Sequence, residues 1–376
     1  MSTMNMNLRF RYLAGLAVGA LLLGACVGTE GNDAPGAGEV VVEDAVDPAA
    51  SDVSVKIAVD QAAVPAGESP FVTVTFTNNA RHAVKLLSWY TAAEELEEDL
   101  FEVSLEGRPV EYIGPHYKRP APQKEDFVVL PPGKSLTRDV NLSRFYDLSQ
   151  TGDYTLRYSA ELSAQNAEKV VALDSNAANL WIEGRANPVI NGAAGAQPAE
   201  GSSFLTSSVA FTKCTVSQQS TVMSALDASS TMANDATNYL NGTPTASARY
   251  TTWFGAYSSS GGGTAKDHFV SIKDALDTKP LTFNCGCKKQ YYAYVYPNQP
   301  YIVYLCSVFW NAPLSGTDSK GGTIIHELSH FTAVAGTDDF AYGQTNAKAL
   351  AKSNPSQALF NADNHEYFAE NTPFLQ

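Results

Sequence analysis

The sequence predicts two structural classes in series: an all-β immunoglobulin-like sandwich over residues 53–185, then an α+β half over 204–376. Three observations point to this. Charge is uneven, with 15 Lys and Arg against 27 Asp and Glu in residues 1–203 and 10 against 12 in 204–376. Apolar residues recur at period two in the first half and at helical spacing in the second. Between them, 186–203 is rich in Ala, Gly, Asn and Pro and reads as a linker. The 376 residues are 44% hydrophobic with 27 Gly and 19 Pro, which excludes collagen, coiled coil and wholesale disorder. The length suits two or three domains with real cores. A net charge of −14 argues against duplex nucleic acid as a partner, because phosphate neutralisation needs a basic face.

The N-terminus reads as an export signal over 1–26. Arg9 and Arg11 precede an apolar run, Leu13 to Ala25, which is short for a bilayer span and right for a signal-peptide core. Leu23-Gly24-Ala25-Cys26 resembles the bacterial lipobox, in which the Cys receives lipid. Cys26 is therefore the expected lipidation site of a cell-envelope lipoprotein, at the surface or outer membrane or released in a secreted mature form, and 27–52 reads as a flexible acidic tether.

Strands follow in order: Val53–Val59, Phe71–Phe76, Ala83–Leu87, Phe101–Leu105, Phe127–Leu130, Leu136–Leu142, Tyr154–Tyr158 and Leu180–Ile182. Turn residues such as Asn78-Asn79 and Pro131-Pro132-Gly133 separate them. About eight half-buried strands suggest an immunoglobulin-like sandwich, and Gly152-Asp153-Tyr154 looks like its tyrosine corner. The acidic run Glu94–Asp99 reads as a solvated loop.

The second half changes period. Gln218 to Leu240 reads as a helix ending at Asn241-Gly242, Gly261-Gly262-Gly263 as a turn, and Phe269–Leu276 as a second helix. Gln290–Tyr296 and Tyr301–Val308 read as a hairpin, and two more helices are predicted near 322–334 and 363–370. The tyrosines at 291, 292, 294 and 296 suit sheet packing, with a substrate cleft as the rival use.

Cys214, Cys285, Cys287 and Cys306 remain after Cys26, an even number in an exported chain, so disulfides are expected. Cys285 and Cys287 are too close to pair easily, which leaves two pairings open. A four-Cys zinc site is the weaker rival, since Cys-x-Cys spacing in an oxidising compartment suits it poorly.

The chemistry is concentrated in Gly321-Gly-Thr-Ile-Ile-His326-Glu327-Leu-Ser-His330. On a helix, His326 and His330 lie one turn apart on one face and reach one zinc ion, with Glu327 beside them. Ile324, Ile325, Leu328 and Phe331 face the core. A catalytic zinc needs a third protein ligand. The spacing leaves Asp339, Glu366, Glu370 and His365 as donors, with Asp339 the nearest if Gly336 turns the chain back in a left-handed conformation.

Gly336-Thr337-Asp338-Asp339-Phe340-Ala341-Tyr342-Gly343 matches a Gly-Thr-x-Asp-x-x-Tyr-Gly element. Together with the His-Glu-x-x-His helix, it resembles the aspzincins, the deuterolysin-like metalloendopeptidases, and most of all the peptidyl-Lys subfamily. Arg249–Gly255, Ala293–Asn298, Val303–Cys306 and Asn361–Phe368 carry the same resemblance, which covers nearly all of 205–376 and none of the sandwich half. It implies a zincin-like metallopeptidase domain over 204–376 holding one Zn2+ per chain through His326, His330 and Asp339, with Asp338 in the variable position. Glu327 would be the general base on a zinc-activated water, and Tyr342 would hydrogen-bond the carbonyl oxygen. It also implies the pairing Cys214–Cys285 and Cys287–Cys306.

Asp363 and Glu366, at i and i+3, match the pair that binds the substrate ammonium in lysine-specific members, giving cleavage on the N-terminal side of Lys. From spacing alone they fit a helix capping box equally well. His365 reads as structural, and His82, His116 and His268 as surface residues. The expected partners are Lys-containing proteins or peptides, the membrane only through the lipid anchor, and the chain is expected to be a monomer. The sandwich half is a candidate propeptide, inhibitor or binding module. The competing function is a surface adhesin carrying a degenerate peptidase fold, against which the intact His326, Glu327, His330, Asp339 and Tyr342 argue.

Overall fold

The computed structural model describes residues 45, 46, 49, 52–92, 96–163, 170–185, 208–242, 245 and 247–376. The signal segment with Cys26, most of the tether and the linker lie outside the described residues. Among those described, no helix is long and apolar enough to cross a membrane.

The first half is β-rich. Its strands are β1 (Val53–Val59), β2 (Ala63–Val64), β3 (Phe71–Asn78), β4 (Val84–Leu87), β5 (Phe101–Leu105), β6 (Arg108–Pro109), β7 (His116–Lys118), β8 (Phe127–Leu130), β9 (Ser135–Asn141), β10 (Gly152–Ser163) and β11 (Val170–Ile182). They form a sheet β1-β3-β9, a sheet β2-β11-β10-β5-β6 and a pair β4-β8. Period two explains the packing: Val53, Val55 and Ile57 of β1 and Val72, Val74 and Phe76 of β3 point into one core, where they meet Tyr154, Leu156 and Tyr158 of β10. β7 is different. It leaves both sheets and pairs with a strand of the second half.

That half contributes β12 (Val209–Thr212), β13 (Leu281–Asn284), β14 (Ala293–Val295) and β15 (Ile302–Leu305). The sheet order is β12-β13-β15-β14-β7, with β12, β13 and β15 parallel and β14 antiparallel to both its neighbours. Helices α1 (Val216–Asn241), α2 (Ala248–Phe254), α3 (Ser259–Thr278), α4 (Lys320–His330), α5 (Gly343–Ser353), α6 (Pro355–Ala358) and α7 (Ala362–Glu370) complete it. A second core joins Leu226 of α1, Phe269 of α3, Val303 of β15, Ile325 of α4 and Phe368 of α7.

Local signals explain most boundaries. α1 opens on a capping box of Thr215 and Gln218. The three glycines at 261–263 form no turn but the first turns of α3, which Ser258 caps. At Gly262 the missing side chain is used for packing: a Cβ there would meet the Tyr257 ring at 2.5 Å. α4 starts at 320 and stops at 330, earlier than its periodicity suggests. Ser319 caps it, accepting from the Gly322 amide at 2.9 Å and donating to Glu370 at 2.7 Å. A cap of this kind stabilises by about 1 kcal/mol, here on the helix that carries the site. Helices α2, α5 and α6 are not announced by apolar periodicity, because each is short and its buried apolar residues are Ala or aromatics.

Disulfides join Cys214 to Cys285 and Cys287 to Cys306. The first ties the start of α1 to the end of β13, and the second ties the β13–β14 connection to the end of β15.

Candidate active site

Every residue of α4 is buried. Its glycines allow this: Gly321 packs on Ala228 of α1, and Gly322 on Glu370 of α7. His326 and His330 project from one face with their Nε2 atoms 3.1 Å apart. Thr337 accepts from His330 Nδ1 at 2.8 Å, which leaves the Nε2 lone pair free to face inward. Asp363 Oδ1 stands 2.9 Å from His326 Nδ1 and favours the same tautomer there.

Asp339 completes the group. Its carboxylate oxygens lie 3.3 Å from His326 Nε2 and 3.4 Å from His330 Nε2. The turn that brings it back passes through Gly336, at φ 58°. Asn361 then holds that turn by accepting from the Phe340 and Ala341 amides and donating to the Ala341 carbonyl. Neither Asp339 oxygen, nor either oxygen of the buried Glu327, has a hydrogen-bond partner among the described residues. Buried carboxylates without donors are costly unless a cation joins them. Two facing imidazole nitrogens and one carboxylate form the donor set that suits zinc, so these residues fit the metal. Burial raises the Glu327 carboxyl to about 8, with His326 opposing the shift. Burial also raises Asp339, but His330 and His326 outweigh it and hold that carboxyl below its usual range.

Asp363 and Glu366 lie one turn apart at the start of α7, and neither serves as a cap: Asn361 occupies that position, and Asp363 accepts from the Gly343 amide at 2.6 Å. Between them lies the ammonium of Lys118, from β7. Its Nζ is 2.5 Å from Glu366, 3.5 Å from Asp363 and 3.5 Å from Asp318. It also sits 5.0 Å from the Tyr292 ring and 5.8 Å from the Tyr367 ring. Burial pulls the Lys118 pKa down, yet the carboxylates, led by Asp363 and Glu366, outweigh it and keep the group charged.

The rest of the β7 segment also lies against the site. The His116 ring is 4.8 Å from the His330 ring, and its Nδ1 is 3.2 Å from Asp338. His116, His330 and Asp339 each offer a ligand atom within 4.8 Å of the others. The Tyr342 hydroxyl donates to Glu98 at 2.7 Å and accepts from Arg119 at 2.7 Å. Arg119 also pairs directly with Glu98.

Several expectations are corrected here. His116 and His268 are buried, not surface residues. The described part of the acidic run is no solvated loop: Glu98 is buried against Arg119, and Glu97 binds Arg119, Lys289 and Tyr291. His365, read as structural, has Asn361 and His268 as its hydrogen-bond partners. Lys118, Arg119 and Asp318 carry no signal in the sequence, Glu98 reads only as part of the acidic run, and Asn361 only as the start of the 361–368 resemblance. No spacing rule links a residue near 118 to one near 366; only the β7–β14 pairing brings them together.

A family model described as lysine-specific metallo-endopeptidase, the aspzincins, matches residues 239–370. An extracellular protease of Aeromonas hydrophila is 48% identical over 80% of this chain and 88% of its own. A peptidyl-Lys metalloendopeptidase of Grifola frondosa is 36% identical over 80% of this chain and 88% of its own. A solved zinc peptidase of Grifola frondosa, 45% identical, covers 43% of this chain and 100% of its own at a TM-score of 0.42. The extracellular relative and the two disulfides point to export. With a His-Glu-x-x-His helix, a returning aspartate and relatives of this identity over most of its length, the chain belongs to the aspzincin family of zinc metalloendopeptidases.

Proposed function

We infer that the protein is an endopeptidase that cuts peptide bonds on the N-terminal side of Lys. The observation that carries this reading is the Lys118 ammonium held by Asp363 and Glu366 beside the metal donors. A buried pair of carboxylates with two aromatic walls is a receptor for a point cation. One zinc ion, held by His326, His330 and Asp339, would supply Lewis-acid polarisation of the scissile carbonyl and an acidified water. Glu327 takes the proton of the attacking water and passes it to the leaving amine. Its unpartnered oxygens leave both acceptor sites open to a water. The Tyr342 hydroxyl donates to the carbonyl oxygen as charge builds there.

The chain as a whole is read as a latent precursor: peptidase over 204–376 and propeptide over 53–185. His116 at the metal donors, Lys118 in the cation pocket and Glu98 with Arg119 on Tyr342 engage three parts of the machinery at once. The propeptide is of immunoglobulin-like type, a reading supported by the Tyr154 hydroxyl donating to the Gln150 carbonyl at 2.6 Å. The chain acts as a monomer, lipidated at Cys26.

Two measurements test this. A digest of an unfolded protein should yield new N-termini at Lys, lost with a chelator and restored by zinc; Lys no more frequent there than in the substrate would refute the specificity. Lys118→Ala in the full chain should raise hydrolysis of a short Lys peptide at least about tenfold, because docking loses a buried ion pair. An unchanged rate would remove the latency.

A further inference from the structure

Resting on the Lys reading above, we propose that the peptidase half carries an aromatic shelf, Tyr291 and Tyr294, that selects an aromatic residue immediately before the scissile Lys. β14 ends the strands that this half supplies on the side opposite β12, so a peptide added there continues the ladder. β7 occupies that edge with Lys118 opposite Ala293, Tyr117 opposite Tyr294 and His116 opposite Val295, and the Tyr292 amide donates to the Lys118 carbonyl at 2.9 Å.

A substrate must run in the same direction. His116, on the N-terminal side of Lys118, is the end that lies by the metal donors. A bond cut on the N-terminal side of Lys must lie at that end too. Strand alternation then fixes the next side chain. Lys118 and His116 point toward α4 and α7, so residue 117 points to the opposite face of the sheet. There the Tyr117 ring lies 5.2 Å from Tyr291 and 5.2 Å from Tyr294, with Lys289 Nζ 4.6 Å from its ring. Tyr294 is itself braced, stacked on Tyr304 at 4.5 Å and 6°. Tyr291, Tyr294 and Tyr304 all belong to the peptidase half, and the Tyr291 hydroxyl donates to Glu97 of the first half at 2.6 Å.

Lys289 offers a second preference, for an acidic residue before Lys. Its side chain is 41% exposed, and an ion pair in that setting is weak against the burial of a ring between two others. Aromatic residues should win.

The test uses enzyme prepared from the full chain and a peptide series Xaa-Lys with Xaa as Tyr, Phe, Ala, Gly, Glu and Lys. Tyr and Phe should exceed Gly by roughly tenfold in kcat/KM. Dissociation constants of the same peptides for metal-free protein, by calorimetry, should keep that order. Tyr291→Ala should flatten both series and Tyr291→Phe should preserve them; if Tyr291→Ala does not fold, the wild-type series decides. Equal rates for all Xaa, with cleavage still before Lys, would overturn the shelf alone and leave Tyr117 as interface packing. Cleavage away from Lys would overturn the Lys reading and the shelf with it.

Discussion

Glu327→Gln is expected to lower turnover of a Lys peptide by about 10²–10⁴-fold while zinc content and the folded structure stay unchanged. Gln keeps the shape of the side chain and loses its basicity. No hydrogen bond is lost, because neither Glu327 oxygen has a partner among the described residues. Removing a buried carboxylate with no donor should not destabilise the chain, and thermal unfolding of metal-free protein checks that. Asp339→Ala is the contrasting variant. It would delete one of the three donors proposed for zinc, so zinc content measured after dialysis should fall together with activity. Should Glu327→Gln retain wild-type turnover, a different group moves the proton.

Glu366→Gln is expected to reduce kcat/KM for cleavage before Lys by about 10²–10³-fold, since an ammonium brought to this buried pocket would lose its nearest carboxylate. Zinc content should be nearly unchanged, because Glu366 lies 3.4 Å from His326 Nδ1 while Asp363 stands closer at 2.9 Å. Asp363→Asn should behave differently. It weakens the pocket and also removes the charge that orients His326, so metal affinity should drop about 10–100-fold as well. A competition assay between Lys and Met at the cut position reads the specificity, and zinc titration reads the metal. Equal metal loss in both variants would mean that the two carboxylates share one role.

The two halves of the site differ in how far a linear reading reaches them. His326 and His330 are legible because a helix repeats every 3.6 residues, so spacing alone sets both rings on one face. Asp339 is harder: eight residues separate it from His330, and spacing makes it only the nearest of several donors, with Glu366, Glu370 and His365 as rivals that the family resemblance sets aside. The strands at 53–59 and 71–76 follow from alternation, as does the helix at 216–241 from its apolar repeat. The glycines at 261–263 mislead because glycine usually marks turns, whereas here they open a helix and the Tyr257 ring takes the space at Gly262.

His116, Lys118, Arg119 and Glu98 carried no such mark. They lie in a strand-rich half whose pattern speaks only of a core, and His116 looked like a surface residue. What the sequence determined by itself is local: which segments coil, which extend, and which helix offers two imidazoles to a metal, since all of these depend on neighbours within a few residues. Only the tertiary structure decided that β7 abandons its own sheets for the edge of β14 and delivers an ammonium to carboxylates nearly 250 positions away. Strand pairing over such a distance depends on backbone hydrogen bonds that any sequence can make, so no residue pattern announces it.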